Sequence, residues 1–442
     1  MHLFESKGSG YLFDPFSVRL VRLKKKDYHR ELSRHADSER RPHAGISRSG
    51  ATRQKASPFL HVPQNAEILL GPRSAARPQP PSEEVEVLVN AAQTCNLVCP
   101  YCFVGQGRFH YRRRKSQGLD PRSAKRLVEV LPRALPDRRI FSIHFYGGEP
   151  LLNTEAMKAA VEAAEHSTHL FRFAVTTNGT LFAPEIFSIF KRGRFSVILS
   201  IDGPPRVHNA LRRTQNGRPT HALVLKFLKR LKKEGIFVRG SSVVRKNWPL
   251  RKSLAYLNSL PVDVMKAQAV RLPPEHPIAL NQRERAEYFD DLKDLAGSVI
   301  RCIKKGISPK DDRFNSRVLQ ILTRTRRASF CGAGRSVFGL STDGTVLPCA
   351  LLAGVKDSNL GSIHGSTDWV DRGRIWADTH GPRPECEVCW ALPLCGGGCP
   401  AMLSVCGEDE CDMVRANCEA ALEIYGAFLK RPSDLLVLAG GV

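Results

Sequence analysis

From residue 85 onward, short runs of β-branched and aromatic residues alternate with segments whose apolar positions recur at helical spacing. Val85–Val89, Ile140–Phe145, Phe171–Thr176, Phe195–Ile201 and Phe237–Val244 read as strands, with another near 262–270. Helices are expected over 121–134, 154–166 and 184–192, from Thr220 to Gly235, near 249–259, and over a long stretch near 283–305. Asp120-Pro121 is a helix start, Asp as N-cap and Pro in the first turn, and Thr220 is placed as the cap of its helix. Alternation of this kind means βαβ units and a parallel sheet. The fold class is therefore α/β, a partial (β/α)6 barrel with its chemistry at the C-terminal strand ends.

Both ends of the chain depart from this pattern. Leu12, Phe13 and Phe16 lead into Val18, Leu20, Val21 and Leu23, with Gly8 and Gly10 as turn residues, so residues 1–23 read as a small strand pair. Residues 24–84 show no apolar period and are rich in Ser, Pro, Arg and His, as in a solvated basic arm that is partly disordered. Residues 331–418 carry nine of the 13 cysteines, many glycines and few long periodic segments, the texture of a region held together by metal. The expected division is 1–23, the arm 24–84, the barrel 85–305, a connection 306–330, a Cys-rich domain 331–430 and a tail 431–442.

Composition narrows the setting. A chain of 442 residues with 42% hydrophobic and 25% charged residues buries a core. No apolar run reaches the ~18 residues of a membrane span, and Met1-His2-Leu3-Phe4-Glu5 lacks a secretion signal, so a cytoplasmic protein is expected. In a reducing cytosol, clustered cysteines point to metal rather than disulfides. The net charge is +24, with 14 Lys and Arg against 5 Asp and Glu between Arg19 and Arg77, and 9 acids against 3 bases after residue 384. Such charge suits an anionic partner or, equally, a solvated surface.

The first cysteine set is Cys95-x3-Cys99-x2-Cys102, just after the first barrel strand. Three thiolates in one short loop can hold three irons of a cubane and leave the fourth open. A zinc site wants four tetrahedral ligands, and only His110 stands close in sequence. With Tyr101 before the last cysteine, this loop resembles the signature of radical S-adenosylmethionine enzymes. Tyr146-Gly147-Gly148-Glu149-Pro150, Thr176-Thr177-Asn178-Gly179 and Ser200-Ile201-Asp202-Gly203-Pro204 follow at successive strand ends, then His208-Asn209 and Arg212, as in the peptide-modifying branch. The resemblance covers about residues 85–270. It implies that Cys95, Cys99 and Cys102 hold a [4Fe-4S] cluster whose open iron binds S-adenosylmethionine, reductively cleaved to a 5′-deoxyadenosyl radical. Cofactor contacts are then expected from Tyr101, Gly147, Gly148, Glu149, Pro150, Asn178, Ser200, Asp202 and Arg212. The two glycines are read as letting the backbone approach the cofactor amine.

Cys331, then Gly344-x4-Cys349, a gap, Cys386-x2-Cys389-x5-Cys395-x3-Cys399 and finally Cys418 resemble the SPASM extension, the auxiliary-cluster domain of radical enzymes that modify peptides and proteins. By that resemblance Cys386, Cys389, Cys395 and Cys418 hold one of two auxiliary clusters, and Cys331, Cys349 and Cys399 hold part of the other. Residues 332–348 lack the extra cysteine of sulfatase-maturing members, so the inner cluster has an open iron unless Cys406 or Cys411 completes it. Paired zinc ribbons are the rival reading. Cys302 falls in a helix as a small core residue.

An open auxiliary iron suits thioether formation, in which a substrate thiolate binds there while a hydrogen is removed from a nearby carbon. The leading expectation is a maturase that cross-links a ribosomally made precursor peptide, with an acidic leader captured by the basic half and electrons from a flavodoxin or ferredoxin. His2–Leu23 and the Ser200–Pro204, His208-Asn209, Arg212 run resemble that group most. The alternative is an anaerobic sulfatase maturase forming formylglycine; there an aspartate follows the Gly-x4-Cys cysteine, where this chain has Ala350. A third reading is an RNA-binding or RNA-modifying metalloprotein, but only Tyr28 and Phe59 are aromatic within 19–77, too few for base stacking. No membrane partner is expected.

Overall fold

The computed structural model describes residues 1–6, 8–40, 75–80, 82–107, 109 and 118–439. His110 and the middle of the basic arm, 41–74, lie outside the described residues. The chain opens with three antiparallel strands, β1 (His2–Ser6), β2 (Ser9–Asp14) and β3 (Arg19–Leu23), where a strand pair was expected. The extra reversal comes from Asp14, whose carboxylate accepts from the Phe16 amide at 3.2 Å and the Ser17 hydroxyl at 2.5 Å. A second correction follows at once. Lys25–Arg40 is a helix rather than a solvated arm, tied to β2 by Tyr28, whose ring fills the space a Cβ on Gly10 would need. With Leu32 exposed, its apolar contact rests on so few side chains that no stripe is visible in sequence. The end of the arm is anchored where β4 (Arg77–Pro78) pairs with Thr325–Arg326.

Six parallel strands form the expected partial barrel: β5 (Glu84–Ala92), β6 (Ile140–Gly147), β7 (Leu170–Thr177), β8 (Ser196–Ser200), β9 (Phe237–Val244) and β10 (Val264–Ala269). Burial alternates along them. Val85, Val87 and Val89 of β5 are buried with Phe141, Ile143 and Phe145 of β6, under the amphipathic helix Pro121–Ala134 capped by Asp120. Phe145, Phe173 and Phe195 stack across three strands with centroids 5.3–6.5 Å apart. The other face is polar: Glu84 accepts from Ser142, and His144 contacts Glu86 at 3.4 Å and Thr176 at 2.8 Å.

The sheet does not stop at the barrel. After β11 (Thr325–Arg326), β12 (Val337–Leu340) lies parallel to β5 on its free side, and β13 (Thr345–Leu347) and β14 (Gly361–Ser362) follow antiparallel. Nine strands therefore run in one sheet, and the boundary expected at 306–330 does not divide it. The C-terminal part is also more helical than its sequence suggests, with Trp369–Thr379 and the 19-residue Glu408–Gly426. The latter packs on both Gln282–Lys304 and Asn315–Thr323. Its buried residues include Val414, Leu422 and Ile424 together with Cys418, Ala420 and Ala421, whose small side chains give little apolar contrast.

Candidate active site

The loop after β5 carries Cys95, Cys99 and Cys102 around a small apolar nucleus of Leu97, Cys99 and Tyr101, packed against Val243, Val270 and Leu272. Two amides are aimed at sulfur: Leu97 N–H donates to Cys95 Sγ at 3.4 Å and Gln106 N–H to Cys102 Sγ at 3.3 Å. The Asn178 amide donates to Cys95 Sγ at 3.8 Å. Burial pushes the Cys95 thiol up to about 12 and, against the opposing Arg212, the Cys99 thiol up to about 11. A metal bound there must displace the protons of these two thiols. Among the described residues, no three His, Cys, Asp or Glu side chains gather tightly enough for one metal ion. Three thiols that each take a different iron of a cubane stand farther apart than three ligands on one zinc, so the donor set fits the cluster better than a zinc knuckle.

The next strand end clamps this loop. Gly148 N–H donates to Ala92 O at 2.8 Å and Glu149 N–H to Thr94 O at 2.9 Å. A Cβ on Gly148 would stand 2.0 Å from Thr94 O, and one on Gly147, at φ +128°, 2.6 Å from Ala92 O. These glycines thus admit the backbone of the cysteine loop. The Glu149 carboxylate is buried and accepts from Leu151 N–H at 3.1 Å, Thr177 hydroxyl at 2.7 Å and Asn178 N–H at 2.8 Å. Burial raises it to about 7 even so. One acceptor position remains on Oε2. Pro150 opens a short 3-10 turn behind it.

Asn178 is held by two residues the sequence reading missed. Its amide donates to Asn96 Oδ1 at 2.9 Å, while its own oxygen accepts from Thr180 N–H at 3.0 Å and Thr180 hydroxyl at 2.6 Å. Thr180 stands directly after the quoted Thr-Thr-Asn-Gly run and was legible as a turn residue.

Asp202, at the end of β8, is fully buried and joins the loop to the following helix. Tyr101 donates its phenol proton to Asp202 Oδ2, Arg212 Nε donates to the same oxygen at 3.0 Å, and the Arg212 guanidinium lies 5.4 Å from the Tyr101 ring centroid. Burial alone would raise the Asp202 pKa, but Arg212 and Tyr101 outweigh it and hold the carboxyl below its usual range. Burial and Arg212 drive His208 down to about 3, so it is neutral. Its Nδ1 accepts from Asp202 N–H at 3.3 Å, which puts the proton on Nε2, 3.1 Å from the Thr220 oxygen. Thr220 hydroxyl in turn donates to Arg212 O at 2.6 Å. Thr220 therefore does not cap its helix. Asn209 does, its side-chain oxygen accepting from Thr220 and His221 amides at 3.0 and 2.9 Å. Ser200 stands half-buried at the last position of β8.

The remaining cysteines fall into two groups. Cys331 and Cys349 flank β12 and β13, and each lies within electrostatic reach of the other or of Cys399, with Glu86 of β5 facing both. Burial lifts Cys349 to about 12. Cys386, Cys389, Cys395 and Cys418 form the outer group, and Cys411 joins it beside Arg383, whose guanidinium donates to its sulfur at 3.4 Å. Cys406 has its thiol 3.9 Å from Leu272 O, on the wall of a cavity of about 540 Å³ that Arg271, Arg327 and Glu410 also line. Tyr146 feels the charges of both Cys102 and Cys349, so it stands between the first cysteine loop and the inner group. It was quoted in its motif but not expected as a site residue.

Residues 89–247 match the family model described as Radical SAM superfamily. A protein of Methanocaldococcus jannaschii is 30% identical over 52% of this chain and 77% of its own length. The chain belongs to the radical SAM superfamily. It is an enzyme of that superfamily, using S-adenosylmethionine and a [4Fe-4S] cluster. The radical SAM cyclopropyl synthase TigE of Paramaledivibacter caminithermalis is 28% identical over 48% of this chain, which spans 45% of TigE. The cysteine-type anaerobic sulfatase-maturating enzyme of Clostridium novyi is 24% identical over 70% of this chain and 86% of that one. Among solved structures, anSMEcpe with bound AdoMet superposes with a TM-score of 0.63 at 20% identity, over 79% of this chain and 98% of its own. Streptococcus suis SuiB bound to its precursor peptide SuiA gives 0.51 at 14% identity, over 91% and 94%. Both carry the fold. Named relatives such as TigE and the sulfatase-maturating enzyme are modifying enzymes. No described helix is long and apolar enough to cross a membrane.

Proposed function

We propose that this enzyme installs a cysteine-to-carbon thioether cross-link in a ribosomally made peptide. The observation that carries the reading is the inner cysteine group. Cys331, Cys349 and Cys399 have one another, Glu86, Arg271, Arg327 and Glu410 as their foremost charged neighbours, while Cys411 sits with the outer group and Cys406 faces a cavity. Three protein ligands leave one position for a substrate thiolate. SuiB's complex with a precursor peptide supports a peptide as the partner.

Cys95, Cys99 and Cys102 hold the S-adenosylmethionine-binding cluster in this reading, and the two later groups hold auxiliary clusters. When bound, these groups supply the 5′-deoxyadenosyl radical and the acceptor for the second electron of the cross-link. The chain does the rest. Glu149 Oε2, Asn178 and Ser200 line the strand ends as polar contacts for the cofactor, and the Tyr101–Asp202–Arg212 triad fixes the loop under it. Val243, Val270 and Leu272 exclude water from the cysteine loop. Each link costs the peptide one hydrogen atom from carbon and one proton from sulfur. Glu86 and Glu410 are the carboxylates placed to take that proton.

Formylglycine formation is the second reading, favoured by those same carboxylates, either of which can stand in for the aspartate replaced by Ala350. Anaerobic co-expression with a small cysteine-containing peptide encoded beside the gene, followed by intact mass before and after thiol alkylation, separates the two. A thioether removes two hydrogens per link and protects the cysteine, and Cys95→Ala abolishes the change. A product that reacts with a hydrazide is an aldehyde and overturns the cross-linking reading.

A further inference from the structure

The cavity of about 540 Å³ lies between β10, the helix Asn315–Thr323 and the helix Glu408–Gly426, within the ~300–1,000 Å³ range of ligand sites. It adjoins the cysteine loop, because Val270 and Leu272 line it and also pack on Leu97, Cys99 and Tyr101. At its inner end three cations, Arg239, Lys266 and Arg313, converge from β9, β10 and the segment after the long helix. Two are paired: Arg239 with Asp312 at 2.7 Å and Arg313 with Asp311 at 2.6 Å. Arg313 also donates to Ala267 O at 2.9 Å.

Lys266 has no such partner. Among the described residues no carboxylate comes within 4 Å of its amine, though Asp311 and Asp312 bear on it from farther away, against Arg239 and Arg313. Burial lowers its pKa, opposed by the charge of Asp312. Farther along the wall Arg271 is balanced by Glu410 through two contacts of 3.1 Å. Arg317 faces Cys418, and Arg327 faces Cys418 and Cys395 of the outer group and Cys331 of the inner one. At this end of the cavity three cations thus face two carboxylates, and among the described residues Lys266, half-buried on the wall, is the one cation of the three without an ion pair.

We propose that the missing anion is a carboxylate of the substrate peptide, held at Lys266 between Arg239 and Arg313. The proposal rests on the peptide-maturase reading and adds a substrate class to it: a peptide bearing an acidic group at a set distance from the modified residue. From Lys266 to Val270 is four strand residues, roughly 13 Å, which an extended peptide spans in about four residues.

Binding tests this without turnover, so its failure is separate from a failure to cross-link. The cluster-loaded, full-length enzyme is titrated anaerobically by calorimetry with Ac-Gly-Gly-Glu-Gly-Gly-NH2, its Gln counterpart, and Ac-Gly-Gly-Gly-Gly-Gly with a free C-terminus. Tighter binding of the Glu peptide than the Gln peptide, by tenfold or more, assigns the site to a side-chain carboxylate. Preference for the free-terminus peptide assigns it to a terminal one. In either case Lys266→Met must shrink the preference below threefold and Lys266→Arg must restore it, with circular dichroism confirming folding. Equal binding of all three peptides, or a preference that survives Lys266→Met, overturns the proposal.

Discussion

The first cysteine loop and the outer cysteine group, both proposed above to hold clusters, present their thiols in opposite ways. Around Cys95, Cys99 and Cys102 the polypeptide is already locked: β6 hydrogen-bonds the loop backbone, Glu149 ties β6 to β7, and Tyr101, Asp202 and Arg212 bridge to the next helix. Around Cys386, Cys389 and Cys395 there are two four-residue helices, Pro384–Glu387 and Leu392–Cys395, followed by three glycines in succession at φ +75° to +98°. Helices that short do not hold themselves in water. The first region holds its shape through the protein's own contacts, and the second has few of its own.

Iron removal breaks the comparison most strongly if it is false. After anaerobic chelation, amides of 384–400 should exchange on the order of 100-fold faster or more, while those of β5–β9 keep their protection. Hydrogen-exchange mass spectrometry reads both at once, and simultaneous loss in the two regions would refute the contrast. Next in size is Arg212→Met, which strands the fully buried Asp202 and should cost about 3–5 kcal/mol in urea unfolding. Arg415→Met on the auxiliary side, where the Arg415–Asp412 pair is about 40% exposed, should cost under ~1 kcal/mol.

Between those two in size is an effect of pH. His208 stays neutral when folded down to about 3, whereas the unfolded chain takes its proton near 6.5. The unfolded state therefore binds more protons in that window, and stability falls as pH drops through it. Between pH 7 and pH 5 the wild type should lose about 2 kcal/mol that His208→Gln does not, which denaturant midpoints at the two pH values will show.

Periodicity revealed the barrel because its helices each have one buried face against a sheet, as Leu127, Val128 and Leu131 do on Pro121–Ala134. It failed where burial uses small or few side chains, as with Ala420, Ala421 and Cys418 on Glu408–Gly426, or Tyr28 on Lys25–Arg40. Site positions at strand ends were readable from their spacing, but their contacts were not. The glycines at 147 and 148 admit backbone, Thr220 anchors Arg212 O and His208, and Asn209 caps a helix it does not belong to, because each role depends on which segment the fold lays alongside.

The pairing of β12 with β5 has one further consequence. Val337–Leu340 runs in register with Glu86–Val89, so the turns that carry Cys331 and Cys349 are fastened to the same ladder whose end carries Cys95. The separation between the first cysteine loop and the inner group is thereby set like two marks on a ruler, with Tyr146 lying in the interval. Electron tunnelling falls steeply with distance, so under the proposed function a gap fixed by backbone rungs would hold the rate between the two cysteine groups constant through turnover.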